Sequence, residues 1–151
     1  MENKYLILIL VAVIAVVAVA AVAMTNGNGG ADVGGVKFNI PEKYVEDTNY
    51  TENESGVKVA GVTVNASGKV FRNGTDGVKI AVYETESPEV AKGVYDNTTA
   101  NMASGASEKT VNGKKVIDTS DSQLYSYSYY QDQYLIFLQS PNQTLIDSLV
   151  K

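Results

Sequence analysis

Cysteine is absent from this chain, and so is histidine. Without a thiol there is no disulfide, no thiolate nucleophile and no lipid-modified cysteine to hold a membrane, so the core must hold by burial alone. Without an imidazole the chain lacks the usual general base near neutral pH and the commonest transition-metal ligand. Serine-based hydrolysis loses its partner base for the same reason, and no G-x-S-x-G stands in the sequence. Positive charge is also scarce: 12 Lys and Arg against 17 Asp and Glu give a net charge of −5 at pH 7. Such a balance repels phosphate backbones and argues against a nucleic-acid partner.

Against these absences stands one long uncharged run, Tyr5 to Met24, built of Leu, Ile, Val and Ala with a tyrosine and a methionine at its ends. At about 1.5 Å per helical residue, some twenty residues span roughly the 30 Å hydrocarbon core of a bilayer. A secretory signal has a shorter apolar core of about 7–15 residues, although Ala18-Val19-Ala20 and Ala21-Val22-Ala23 offer the small-x-small pattern of a cleavage site. The expectation is a single N-terminal membrane span over residues 1–24, retained as an anchor or removed as a signal. Lys4 and the amino terminus precede it, and no charge follows before Asp32, which favours the amino terminus inside and the rest outside the cell membrane.

Residues 25–35, TNGNGGADVGG, read as a glycine-rich tether with a reach of about 18 Å. Residues 36–151 then make one domain of common size. Val36, Phe38 and Ile40 alternate with polar residues as a first strand closed by Pro41. Residues 42–56 are polar and acidic, with Tyr44 as their apolar plug, and read as a surface excursion. Residues 57–64, 69–72 and 78–85 read as a meander turned at Asn65-Ala66-Ser67-Gly68 and Asn73-Gly74-Thr75-Asp76-Gly77. Ser87-Pro88-Glu89 starts a helix with an apolar stripe through Val90, Ala91, Val94, Tyr95 and Met102, and Gly105 is its expected stop. Asn112-Gly113 turns a hairpin between residues 108–111 and 115–119. Residues 123–131 and 134–139 make the last strand pair, and the unbroken Leu135-Ile136-Phe137-Leu138 predicts a central strand covered on both faces. Ser140-Pro141-Asn142-Gln143 reads as a capping box with Pro in the first helical position, opening a closing helix that docks through Leu145, Ile146, Leu149 and Val150. The fold class is therefore α+β, a mostly antiparallel sheet packed by two helices. Phe38, Ile40, Val57, Val59, Val78, Ile80, Val82, Ile136, Leu138, Leu145 and Leu149 are expected in one core.

Phe38-x-Ile40-Pro41-x-x-Tyr44, the strand of residues 78–85 leading into a helix, and Asn112-Gly113-Lys114-Lys115 resemble the PsbP-like family of extrinsic photosystem subunits and their non-photosynthetic relatives. Tyr129-Tyr130, Leu135–Phe137 and the closing Asp147-Ser148-Leu149-Val150 extend the resemblance over residues 36–150. It implies a sheet sandwiched by helices and an accessory or binding role. With its N-terminal apolar segment and no lipid-modified cysteine, the chain looks like the membrane-anchored archaeal branch. The family's histidine metal sites find no match here, so no cofactor or metal is expected.

Several surface patterns admit both a functional and a plain reading. The glycosylation sequon Asn-x-Ser/Thr occurs at Asn49, Asn53, Asn65, Asn73, Asn97 and Asn142, six of the eleven Asn beyond residue 24. About two would be expected from loops that mix Asn with Ser and Thr, so the excess reads as a glycoprotein signature as well as polar composition. Asn65 and Asn73 fall at expected hairpin tips. Tyr125, Tyr127 and Tyr129 alternate with serines, giving either an aromatic binding row for a sugar or a partner or a sheet face under a helix. Glu46, Asp47, Glu52 and Glu54, and Asp118, Asp121 and Asp132, cluster without the spacing of a calcium loop and read as solvated acid. A paired-carboxylate hydrolase needs two acids at a set separation, which no spacing here establishes. A pilin-like fibre or adhesion subunit would place a Gly processing site before the apolar run, where Lys4 is followed by Tyr5. The function class expected is a membrane-anchored, extracytoplasmic accessory or binding domain, not an enzyme, with an unidentified protein or glycan partner.

Overall fold

The computed structural model describes residues 30–151. The expected span over residues 5–24 and the tether up to residue 29 lie outside the described residues. Among the described residues no helix is long and apolar enough to cross a membrane.

The domain starts earlier than residue 36. β1 (Ala31–Val33) and β2 (Val36–Phe38) form an antiparallel hairpin turned at Gly34 and Gly35, whose φ angles of 60° and 95° suit glycine. The end of the expected tether is thus folded structure. Glycine supplies close approach here and not slack: a Cβ on Gly34 would fall 2.9 Å from the Ser67 Cβ and 3.3 Å from the Val82 Cβ. Val33, paired with Val36 beside that turn, is 0% exposed.

The main sheet has eight strands, all paired antiparallel: β3 (Val45–Glu46), β4 (Glu52–Val59), β5 (Val62–Asn73), β6 (Asp76–Glu84), β7 (Ser107–Val111), β8 (Lys114–Asp118), β9 (Tyr125–Gln131) and β10 (Tyr134–Ser140). Across the sheet the order is β5-β6-β10-β9-β8-β7, and β3 and β4 share the outer side of β5. A short 3-10 turn, Thr48–Tyr50, joins them, so residues 42–56 are more ordered than a surface excursion. Asn65–Gly68 is not a turn. These residues lie inside β5, where Ala66, Ser67 and Gly68 pair on one side with Glu54, Asn53 and Glu52 and all four pair on the other with residues 81–84, and the two ladders outweigh local turn preference. The reversal falls instead at Ala60-Gly61, and a bulge between Glu54 and Val57 takes up the extra residues.

α1 (Pro88–Ala100) and α2 (Gln143–Leu149) are the helices. Ser87 Oγ accepts the Val90 N–H at 3.2 Å, as its capping sequence predicts. α1 ends before Gly105, at the run where Thr98 and Thr99 turn their hydroxyls back onto the Val94 and Asp96 carbonyls. The cap of α2 is Asn142 rather than Ser140: Asn142 Oδ1 accepts the Leu145 N–H at 3.1 Å, while Ser140 Oγ donates to the Gly77 carbonyl.

β10 lies in the middle, covered on both faces as the unbroken apolar run predicts. Its residues divide the interior. Ile136 and Leu138 pack with Leu145, Ile146 and Leu149 of α2, with Val78, Ile80 and Val82, and with Val33, Phe38 and Ile40. Leu135 packs with Ala91 of α1, Ala81, Tyr83 and Val59, with Val57 alongside. The single expected core is therefore two clusters, because alternation along β10 sends neighbouring side chains to opposite faces. Val57 and Val59 belong to the helix α1 side.

Candidate functional site

The tyrosine row of β9 is the first chemistry-bearing feature the fold places. Register puts Tyr129 opposite Ile136 and Tyr127 opposite Leu138, on the face that α2 covers. Tyr127 is 1% and Tyr129 2% exposed, with Tyr125 half-buried, so this row does not face solvent. The binding-face reading is overturned, and the reason is the helix docked on it.

Burial leaves the Tyr127 hydroxyl needing partners. It donates to Asp147 Oδ1 on α2 at 2.6 Å and accepts from Lys109 Nζ at 2.9 Å, while Lys109 also pairs with Asp118 Oδ2 at 3.0 Å. Burial and the Asp147 carboxylate push the Tyr127 hydroxyl above its usual range. Burial works against the Lys109 charge, but the hydroxyl and Asp118 outweigh it and hold its value up. Four residues far apart in sequence thus spend their donors and acceptors on one another. Nearby, Lys114 Nζ lies 5.3 Å from the Tyr129 ring centroid and donates to Gln131 Oε1, and burial lowers its proton affinity.

A second constellation joins Tyr44, Asp76 and Asn142. The Tyr44 hydroxyl and Asn142 Nδ2 both donate to Asp76 Oδ2, the latter at 2.9 Å, and the Gly77 N–H donates to Oδ1. Burial, followed by the bond to Asp76, pushes the Tyr44 hydroxyl up to about 12. Neither network was visible in the sequence, because its partners are joined only by folding.

The carboxylate clusters scatter into local duties. Glu46 pairs with Lys69 at 3.1 Å and Asp47 with Arg72 at 2.9 Å. Asp121 caps the Gln123 and Leu124 N–H groups, and Asp132 sits at positive φ in the β9–β10 turn. Glu52 and Glu54 lie exposed on β4. Among the described residues no three His, Cys, Asp or Glu side chains are grouped to hold a metal ion.

The sequons give the clearest surface constellation. Asn49, Asn53, Asn65 and Asn73 are exposed, on the 3-10 turn, β4 and β5. Asn73 adjoins the β5–β6 turn as expected, whereas Asn65 is exposed from mid-strand and not from a hairpin tip. Asn97 lies on α1 and its Oδ1 accepts from Asn101. Asn142 is half-buried with both ends of its amide engaged.

No family model and no curated protein matches the chain. Its structure is similar to that of a GTP binding regulator from Thermotoga maritima, at 15% identity and a TM-score of 0.45 over 68% of this chain and 70% of the other. A likeness of that degree carries no functional argument.

Proposed function

We propose that this chain is a membrane-anchored, extracytoplasmic accessory or binding domain of the PsbP-like kind, non-catalytic and glycosylated on its outer surface. The observation that carries the reading is the uncharged Tyr5–Met24 run placed directly before an independently cored domain. An all-round apolar helix of that length needs a bilayer or a core far larger than this chain can wrap around it. Supporting it are the sequon excess and the lack of His and Cys. The Tyr127 network adds to it, since each polar group there already has a partner. The domain's role is then to present a surface beside the membrane to a protein or glycan.

Intact mass and fractionation of the native protein test this. The full-length mass, retention in membranes after alkaline extraction, and protease access to the domain only from outside are the expected results. A mature chain starting near Ala21 or Met24 would sink the anchor. Turnover by the purified domain that is lost on changing Asp121 would overturn the non-catalytic half.

A further inference from the structure

The six sequons are not chemically equivalent once folded. Glycan transfer joins the Asn amide nitrogen to the anomeric carbon of a sugar carried on a lipid phosphate. The bond from that carbon to the phosphate oxygen breaks, the phosphate leaves with the electron pair, and the amide gives up a proton. The enzyme must therefore reach a free amide, with the hydroxyl two residues on presented beside it.

We propose that Asn49, Asn53, Asn65 and Asn73 are the acceptors and that Asn97 and Asn142 stay bare, an inference that rests on the outside, glycosylated reading above. At each of the four, neither the Asn side-chain amide nor the hydroxyl of Thr51, Ser55, Ser67 or Thr75 makes a hydrogen bond among the described residues, and each Asn is exposed. In an extended strand residues i and i+2 share a face, so Asn65 and Ser67 of β5 point the same way, with the half-buried Ser67 hydroxyl unbonded beside Gly34 of the β1–β2 hairpin. Asn53, paired with Ser67 across the ladder, lies on that same face. On a helix, i and i+2 point apart, which separates Asn97 from Thr99, and the Thr99 hydroxyl is already given to the Asp96 carbonyl at 2.8 Å. At Asn142 the amide nitrogen donates to Asp76 and the amide oxygen caps α2, so a sugar there would cost both bonds. The acceptors thus gather on the β3, β4 and β5 side of the sheet.

Glycopeptide mapping of the full chain, purified from the membranes of the cell that makes it, tests this together with single variants. Asn49→Gln, Asn53→Gln, Asn65→Gln and Asn73→Gln are each expected to remove one glycan's mass. Thr99→Ala and Thr144→Ala delete the other two sequons without touching the Asn142 cap, and are expected to leave the mass distribution of glycoforms unshifted apart from the substitution. Sugar on Asn97 or Asn142 with the four bare would overturn this inference and leave the glycosylated reading standing. Six bare sequons in a cell that glycosylates a control protein would overturn both.

Discussion

Asp76 joins more of the molecule than a residue at the start of a strand ordinarily does. Its carboxylate takes donors from Tyr44, 32 residues earlier, and Asn142, 66 residues later, tying the segment before β3 to the cap of α2. Burial favours its neutral form, but the bonds from Tyr44, Asn142 and the Gly77 N–H prevail and hold it below the ordinary value of 3.8. The unfolded chain then binds a proton more readily than the folded one, so this contribution is present above about pH 4 and is lost as pH falls through the depressed native value. Urea midpoints between pH 6 and about 2 are expected to fall less steeply for Asp76→Asn than for the native chain. Asp118 and Asp121 are depressed too and keep part of the slope. Parallel curves would show that Asp76 is not a source of it. Asn112 shows the opposite case for legibility. Its turn with Gly113, at φ angles of 50° and 79°, could be read from two adjacent letters, since positive φ is a local demand.

Hairpins were legible where the turn chemistry was unopposed and misread where a ladder opposed it. Asn-Ala-Ser-Gly looked like a reversal, yet β5 runs straight through it, and the chain reverses at Ala60-Gly61, whose first residue has no turn preference. Ala60 sits at φ 48°, where an L side chain costs about 1–2 kcal/mol, and glycine's extra unfolded-state entropy gives back only about 0.5–1 kcal/mol of that. Ala60→Gly is therefore expected to stabilise the domain by about 0.5–1 kcal/mol. A raised denaturant midpoint at unchanged slope would show it, and a lowered one would mean that the Ala60 methyl packed against the Leu135 cluster outweighs the turn's strain. The helix starts were better served, because Ser87 and Asn142 act through atoms three residues away. Even so, the choice of Asn142 over Ser140 as cap depended on the distant Gly77 carbonyl that engages Ser140.

At the scale of the whole domain, the described residues form a central sheet with α2 and the β1–β2 hairpin on one face and α1 on the other, as the separate packing partners of Ile136 and Leu135 require. The hairpin is integral to that arrangement. Val33 and Val36 are buried in the same cluster as Ile136, and each such side chain contributes about 1.5–3 kcal/mol. A chain starting at Gly30 is expected to unfold with one cooperative transition and near-native stability. One starting at Val36 should lose about 1.5–3 kcal/mol through Val33 alone, visible as a lower thermal midpoint. Equal midpoints would return residues 31–35 to the role of a tether.

What the sequence determined by itself was set by local rules: α+β class from period and turn chemistry, the central β10 from its unbroken apolar run, the β5–β6 and β7–β8 hairpins from turn residues that favour positive φ, and a bilayer-length apolar segment from composition. Tertiary structure decided what depends on which side chains meet. It buried Tyr127 and Tyr129 of β9 on the face that α2 covers, folded Gly34-Gly35 against the sheet, and divided one expected core into two. It also separated four open sequons from two whose groups are engaged. Each of these turns on contacts between residues distant in sequence, where pairing on two sides and the need to satisfy buried polar groups override the preference of any short stretch.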